Sequence, residues 1–120
     1  MEVLSIEAFK NKIFNFEQSK DWQFKCPRPT IIDFYADWCG PCRALVPILD
    51  EVATKYNGIV DVYKVDTEAT PELAALFGVR GIPALLFIPM QGEPAMSSGV
   101  MPVESFDQAI KELFDIDKKQ

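Results

Sequence analysis

The chain has 120 residues, 48% of them apolar and nine of them phenylalanines, which is enough to fill the core of one globular domain. Its formal net charge of −6 argues against nucleic-acid binding, because affinity for phosphate backbones depends on lysine and arginine. No stretch approaches the roughly 20 apolar residues of a membrane helix. We therefore expect no membrane insertion, and residues 1–12 mix charged and apolar side chains, unlike a signal peptide.

The N-terminal third of the chain predicts a helix, a connection and a buried strand. Ser5 is a candidate N-cap for the helix, whose apolar positions recur at helical spacing and which we expect to end near Phe16. Residues 17–29 are mostly polar and end in two closely spaced prolines, which favour an extended path. The run TIIDFYA, at 30–36, has the composition of a strand that is buried on both faces.

The rest of the chain continues to alternate helices and strands. The clearest helical pattern runs over 41–57, with Pro47 expected to kink the helix and Gly58 as a candidate C-cap. Further elements are predicted at 59–66 (strand), 71–77 (helix), 83–89 and near 95–99 (a hairpin), and 103–114 (helix). This order predicts one α/β domain over 1–120, in which a parallel pair of strands is extended by a hairpin and covered by helices.

Cys39 and Cys42, in the sequence WCGPC, lie where the buried strand meets the long helix. Such a pair can be a metal clip, a structural disulfide or a redox couple. A structural zinc site usually needs four Cys or His ligands, whereas this chain has three cysteines and no histidine, so we expect no metal. An odd number of cysteines also argues against a disulfide scaffold. The redox interpretation is therefore favoured.

The position of the two cysteines predicts that they have different roles in disulfide exchange. A thiolate is the attacking species, and a helix N-terminus stabilises negative charge, so we expect Cys39 to attack a substrate disulfide and Cys42 to resolve the intermediate. Gly40 leaves the approach open, and Pro41 suits the first helical turn. Asp33, inside the buried strand, is a candidate to accept the proton of Cys42, the alternative being a hydrogen bond within the core.

Several stretches together resemble the thioredoxin family in their order and spacing. They are DFYADWCGPC at 33–42, LVPILDE at 45–51, FGVRGIPALLF at 77–87, and a glycine, Gly99, before the last helix. The resemblance covers residues 30–114 and implies the thioredoxin fold, a central mixed sheet flanked by helices. It implies these catalytic roles: Cys39 as nucleophile, Cys42 as resolving cysteine, Asp33 as buried acid, and Pro83 as a cis-proline opposite the disulfide. It also implies a substrate groove lined by Trp38, Gly40, Pro41, Gly81, Ile82 and Gly99.

The resemblance implies a protein dithiol-disulfide oxidoreductase without a cofactor. The Gly-Pro dipeptide is similar to that of the reducing members, whereas oxidases and isomerases of the family usually carry a histidine there. We therefore expect a reductase of disulfide-containing substrate proteins. A disulfide oxidase or isomerase, or a non-catalytic binding module that holds a partner in the same groove, are the alternatives.

The same reasoning gives expectations about partners and compartment. An electron-donating reductase is expected to recharge the cysteine pair: a thioredoxin reductase, or a membrane electron carrier if the protein is exported. We expect a monomer in the cytoplasm, with the periplasm as the alternative if an export signal has been removed.

Two positions near the predicted site depart from the family pattern. Ala84 stands where the family usually has a threonine after the cis-proline. If Asp66 is the aspartate that ends the strand, Val62 stands where a lysine is often found near the buried acid, four residues earlier. The side chain of Lys64 points to the same side of the strand, but its place in the sequence puts it at a different level along the strand from the usual lysine. We therefore expect the influence of a lysine on the buried acid Asp33 to differ from that in the family.

Two further features lie before the active-site strand. The segment 16–29 is longer than the usual connection and is predicted to be an extra edge strand, a partner surface or a packed loop, with Trp22 and Phe24 alternating with polar neighbours. Cys26 is the odd thiol, interpreted as a semi-buried cysteine or as a site of regulatory disulfide formation.

Overall fold

The longest patterns in the sequence become the central elements of the fold. The computed structural model describes residues 1–18, 21 and 23–117. Across this part of the chain, no helix is both long and apolar enough to span a membrane. The secondary structure, in chain order, is β1 (Glu2–Val3), α1 (Ile6–Lys12), β2 (Thr30–Tyr35), α2 (Gly40–Lys55), β3 (Asp61–Asp66), α3 (Pro71–Leu76), β4 (Ala84–Ile88), β5 (Ala95–Ser98) and α4 (Val103–Phe114).

The strands form one mixed sheet in the order β1-β3-β2-β4-β5. Strand β3 pairs in parallel with both β1 and β2, whereas β4 pairs antiparallel with both β2 and β5. The predicted parallel pair extended by a hairpin is therefore confirmed. The sequence pattern does not predict β1, because two residues are too few to show an alternation of apolar and polar side chains.

Successive residues of β2 point to opposite faces of the sheet and so build two cores. Ile32 and Phe34 belong to the core cluster around α1 and α3. Ile31 belongs to the cluster on the other face, under α2 and α4. Asp33 has the same parity along the strand as Ile31. Its carboxyl group therefore lies on the face that α2 covers.

Helix α1 ends at Lys12, four residues before the predicted end near Phe16. Ser5 caps the helix as predicted, and its hydroxyl oxygen accepts a backbone N–H of the first turn at 3.1 Å. Ile13 and Phe14 continue the apolar spacing and are buried, but they lie in the turn that leaves the helix. Apolar periodicity alone does not distinguish the last helical turn from a buried turn after it.

Strand β3 begins at Asp61, two residues later than predicted. The backbone N–H groups of Ile59 and Val60 both donate to the carbonyl of Tyr56 at 2.9 Å, so they belong to the turn that ends α2. These two N–H groups are therefore engaged outside the sheet, and regular strand pairing starts after them.

The described residues of the segment 16–29, namely 16–18, 21 and 23–29, contain no strand. The prediction of an extra edge strand is therefore wrong for them. The ring of Phe24 lies 5.9 Å from that of Phe14, centroid to centroid, and Phe16 and Phe24 both pack against the α1-side core. This part of the segment is a packed loop, which was one of the alternatives. Trp22 lies outside the described residues.

Candidate active site

Cys39 and Cys42 meet at the N-terminus of α2, where they form a disulfide with their Cα atoms 5.3 Å apart. Cys39 is the N-cap residue, and its Sγ accepts the backbone N–H of Cys42 at 3.2 Å. Pro41 occupies the first turn of the helix, where its lack of an N–H leaves no hydrogen bond unmade. The N-terminal N–H groups and the helix dipole favour negative charge on the sulfur of Cys39.

The loop before β4 lies against this disulfide. The Ile82-Pro83 peptide bond is cis, as the resemblance implies, and the carbonyl oxygen of Ile82 is 3.8 Å from Cys39 Sγ. The N–H of Gly99 donates to the carbonyl of Pro83 at 2.9 Å. Gly99 has a φ of +87°, a backbone conformation that side chains disfavour. Segments from three parts of the chain thus meet at one end of the sheet.

The predicted groove residues around Cys39 are accessible to different degrees. Gly40, Pro41, Gly81 and Gly99 are exposed, and Ile82 is half-buried. Cys39 itself is only 4% exposed. A substrate disulfide that reaches its sulfur therefore has to pass these exposed backbone segments.

Trp38 is the most exposed of the large apolar residues in the described chain, at 66%. Its indole Nε1–H donates to Oε2 of Glu68 at 2.9 Å, although the two residues are 30 positions apart. On the adjoining turn, Arg43 donates from Nη1 to the carbonyl of Asp37 at 2.8 Å. Glu68 is not among the predicted site residues, because no pattern in the sequence places the loop after β3 beside the CxxC motif.

Asp33 is fully buried, and neither carboxylate oxygen has a hydrogen-bond partner among the described residues. Burial raises the pKa of Asp33 to about 6, because the surroundings penalise the charged form, while the charge of Lys64 lowers it in part. A carboxyl group with this pKa changes its protonation state close to neutral pH.

Lys64 lies directly opposite Asp33 in the parallel pairing of β2 with β3. The prediction that Lys64 lies at a different level along the strand is therefore wrong. It failed because the register between β2 and β3 could not be read from the sequence. The ammonium of Lys64 is 4.2 Å from the ring centroid of Tyr35, a cation–π contact. Val62 lies level with Ile31, two residues before Lys64, and packs against the α2-side core.

A cavity of about 130 Å³ opens beside Cys42, with room for several water molecules. It lies on the same face of the sheet as the carboxyl group of Asp33. Polar and apolar groups share its wall, which consists of Tyr35, Ala36, Asp37, Cys42, Arg43, Val46 and Lys64.

Cys26 is a free, buried cysteine. Its pKa is raised, chiefly by burial, which lowers the fraction of reactive thiolate. This position agrees with the interpretation as a semi-buried thiol. The described residues contain no group of three or more His, Cys, Asp or Glu side chains that could hold a metal ion.

Comparison with known proteins gives a consistent match over most of the chain. The family model described as Thioredoxin matches residues 4–112. Thioredoxin from Borreliella burgdorferi is 42% identical over 111 residues, which are 92% of this chain and 95% of that protein. Thioredoxin 1 from a Nostoc species is 37% identical over 83 residues, covering 69% and 78% of the two chains. The crystal structure of chloroplastic thioredoxin z superposes with a TM-score of 0.78 at 26% identity, covering 94% of this chain and 93% of that one.

A mixed sheet flanked by helices, with a CxxC disulfide at the start of a helix, defines a dithiol-disulfide oxidoreductase. Substrates of this class are disulfides. The chain belongs to the thioredoxin family.

Proposed function

We propose that this protein reduces disulfide bonds in other proteins, with Cys39 as the nucleophile and Cys42 as the resolving cysteine. The observation that carries the proposal is the Cys39–Cys42 disulfide at the N-terminus of α2, with Cys39 Sγ accepting the N–H of Cys42. The same hydrogen bond and helix end would stabilise a Cys39 thiolate after reduction.

The reaction starts from the reduced dithiol. The Cys39 thiolate attacks one sulfur of a substrate disulfide, forms a mixed disulfide, and releases the other substrate sulfur as a thiolate. Cys42 then loses its proton and attacks the sulfur of Cys39, which re-forms the Cys39–Cys42 disulfide and releases the second substrate thiolate. Two electrons pass from the protein dithiol to the substrate, whose sulfurs take up protons from water.

Asp33 is the proposed acceptor of the Cys42 proton. Cys42 and Lys64, the residue opposite Asp33, both line the cavity, whereas Asp33 lies behind its wall on the same face of the sheet. The proposed path therefore runs from Cys42 through water in the cavity and past this wall to the carboxyl group. Asp33 has no hydrogen-bond partner among the described residues that would occupy its oxygens, and its pKa of about 6 leaves most of it ionised at neutral pH. Both conditions suit a base that acts once per turnover.

The reducing direction is proposed from what surrounds the sulfur of Cys39. A disulfide is strongly oxidising when its reduced form is stabilised, as when a cation lies beside the thiolate. The chain has no histidine, and in the described residues no lysine or arginine side chain is bonded to either sulfur. Arg43, one turn further along α2, donates to the carbonyl of Asp37 instead. Because no cation of the described residues is bonded to the sulfur, the reduced form gains less stabilisation than in an oxidant, which favours a low reduction potential.

The groove that receives the substrate is proposed to lie beside the cis-proline Pro83 and to consist of Trp38, Gly40, Pro41, Gly81, Ile82 and Gly99. The support is the 3.8 Å distance from Cys39 Sγ to the Ile82 carbonyl, together with the bond from Gly99 to Pro83. An extended substrate strand beside the cis-proline loop would bring its cystine to Cys39.

The recharging partner is proposed to be an NADPH-linked thioredoxin reductase, which supplies two electrons per turnover, and the compartment the cytoplasm. A membrane electron carrier in the periplasm is the alternative for an exported form. The electron donor is tested by adding purified thioredoxin reductase and NADPH to the oxidised protein and following NADPH consumption in the presence of insulin.

The proposed function is tested by the reduction of insulin disulfides with a small dithiol as electron source. The protein should accelerate insulin precipitation, and Cys39→Ser should abolish the acceleration. The reduction potential, measured by alkylating the free thiols after equilibration in graded dithiol buffers, should lie below the glutathione range of about −220 to −260 mV. A potential well above that range would identify an oxidase or isomerase, and no acceleration at all would identify a binding module.

A further inference from the structure

Trp38 combines wide exposure with a fixed orientation. Two thirds of this large side chain is accessible, yet its only polar group is bonded to Glu68 at 2.9 Å. Because the N–H is already used, the indole offers a binding partner its faces rather than a hydrogen-bond donor. An exposed aromatic ring that is held in place loses little entropy on binding, and tryptophan is a frequent anchor of interfaces for this reason.

The backbone of Glu68 is held by the loop that follows β3. Asp66 Oδ1 accepts the N–H groups of Glu68 and Ala69 at 2.9 and 3.3 Å. The N–H of Thr67 donates to the carbonyl of Tyr35 at 2.9 Å, which ties the loop to the end of β2. The carboxylate of Glu68 is therefore a positioned acceptor beside the ring of Trp38.

An aromatic face next to a carboxylate is the chemical combination that binds an ammonium or guanidinium group. The ring attracts a cation through its π electrons, and the carboxylate supplies charge and hydrogen-bond acceptors. Glu68 is exposed, so its oxygens can reach a group on a docked peptide. Asp37, also exposed, precedes Trp38 and adds negative charge on the same side.

Three cations of the described residues lie near this end of the molecule, namely Lys64, which rests over the ring of Tyr35, and two arginines. Arg43 is engaged with the carbonyl of Asp37 at 2.8 Å. Arg80 is exposed, two residues before Ile82, on the loop that holds the cis-proline. None of these side chains forms an ion pair with Glu68 in the described structure, so its carboxylate keeps its charge for a substrate cation.

We propose that Trp38 and Glu68 form a subsite for a lysine or arginine side chain that lies next to the cystine of a substrate. This inference rests on the proposed function, because it requires a substrate disulfide at Cys39, the residue that follows Trp38. The subsite selects among substrates without taking part in the exchange of electrons. It therefore acts on kcat/KM and leaves the reduction potential unchanged.

The test uses short peptides that are each closed by one intramolecular disulfide. The peptides are identical except for the residue next to one cysteine, and this residue is Arg, Gln or Glu. Each is made in two forms, with the variable residue before or after the cysteine. Pre-reduced protein is mixed with each peptide in single-turnover reactions, which are quenched in acid and separated chromatographically. In at least one of the two forms, kcat/KM for the Arg peptide should exceed that for the Glu peptide by about three- to tenfold.

Two variants distinguish binding at the subsite from the general attraction of cationic peptides by an acidic protein. Glu68→Gln keeps an acceptor for the indole N–H but removes the charge, and should bring the Arg-to-Glu ratio close to one. Glu72→Gln removes the same charge four residues away, in the first turn of α3, where the described structure contains no bond to Trp38 or to the cysteines. That control should keep the ratio of the unmodified protein.

The outcomes distinguish this proposal from the one on which it rests. Equal kcat/KM for the Arg and Glu peptides in both forms would overturn the subsite while leaving the reductase function intact. An equal loss of the ratio in Glu68→Gln and Glu72→Gln would also overturn it, because the preference would then come from net charge. Failure to reduce any of the peptides, or insulin, would overturn the proposed function and the subsite with it.

Discussion

Asp33 and Lys64 lie level with each other on the neighbouring parallel strands β2 and β3, but the ammonium of Lys64 rests over the ring of Tyr35, at 4.2 Å from its centroid. The carboxylate of Asp33 is left without a hydrogen-bond partner in the described part of the chain. A charge of opposite sign is thus close enough to lower the pKa of Asp33 but does not form an ion pair with it. This arrangement leaves Asp33 able to change its protonation state, which makes the pair the natural target of mutation.

The first prediction is that Asp33→Asn stabilises the protein above pH 6. The carboxyl group titrates near 3.8 in the unfolded chain and near 6 in the folded one, so its ionisation favours unfolding as the pH rises through this window. The difference corresponds to about 3 kcal/mol at neutral pH. Urea unfolding of the oxidised forms at pH 4, 6 and 8 should show the variant gaining stability relative to the parent protein up to about pH 6. A difference that does not vary with pH would contradict the raised pKa.

The second prediction is that the same substitution slows turnover. An asparagine cannot accept the proton of Cys42, so release of the mixed disulfide should be at least about tenfold slower at pH 7. In the parent protein this rate should rise as the pH passes about 6, where Asp33 becomes ionised, and the variant should lose that inflection. Rapid-quench measurements of substrate release report the step directly. Asp37→Asn, which removes an exposed carboxylate, is the matched control, and an unchanged rate in Asp33→Asn would exclude the proton-transfer role.

The third prediction concerns the charge of Lys64. Because that charge lowers the pKa of Asp33, Lys64→Met should raise it and move the inflection of the rate profile to higher pH. The pKa is measured from the carboxyl carbon resonance of Asp33 in an NMR titration. Lys64→Arg keeps the charge and should leave the titration close to that of the parent protein. A titration of Lys64→Met that superposes on the parent curve would show that Tyr35 holds the ammonium too far away to matter.

Sequence reasoning succeeded where one uninterrupted pattern decides the structure. Helix α4 has the predicted bounds, because its apolar stripe is complete over 103–114. Strand β2 was predicted within one residue, because a short apolar run that directly follows two closely spaced prolines fits little else. The CxxC motif could be placed at a helix N-terminus for the same reason, since it directly follows that strand.

The errors arose where distant parts of the chain decide the outcome. The end of α1 depends on a turn that buries Ile13 and Phe14 in the core, which mimics a helical pattern. The level of Lys64 relative to Asp33 depends on the register between β2 and β3, which neither strand encodes by itself. The contact between Trp38 and Glu68 depends on how the loop after β3 folds, and neither residue type signals it.

A fourth prediction is that Cys26 does not react in the folded protein. Burial raises its pKa and blocks access, so alkylation at pH 8 should be at least about tenfold slower than in urea. The reaction is followed by mass spectrometry on the oxidised protein, in which Cys26 is the one free thiol. Cys26→Ala supplies the control. Rapid labelling of the folded protein, or a disulfide-linked dimer after oxidant treatment, would instead support a regulatory role for this thiol.

The last prediction concerns the contact between the end of α2 and α4. The buried hydroxyl of Tyr56 donates to Asp107 Oδ1 at 2.6 Å, and Lys55 Nζ lies 2.6 Å from Oδ2 of the same carboxylate. Tyr56→Phe should lower the free energy of unfolding by about 1.5–3 kcal/mol, since it removes a hydrogen bond to a charged acceptor without changing the shape of the core. Lys55→Met, which removes a partly exposed ion pair, should cost less than about 1 kcal/mol. Both variants should keep the insulin-reducing activity, because this contact lies at the opposite end of α2 from Cys39. A larger loss for Lys55→Met than for Tyr56→Phe in urea unfolding would mean that the ion pair, not the buried hydroxyl, joins the two helices.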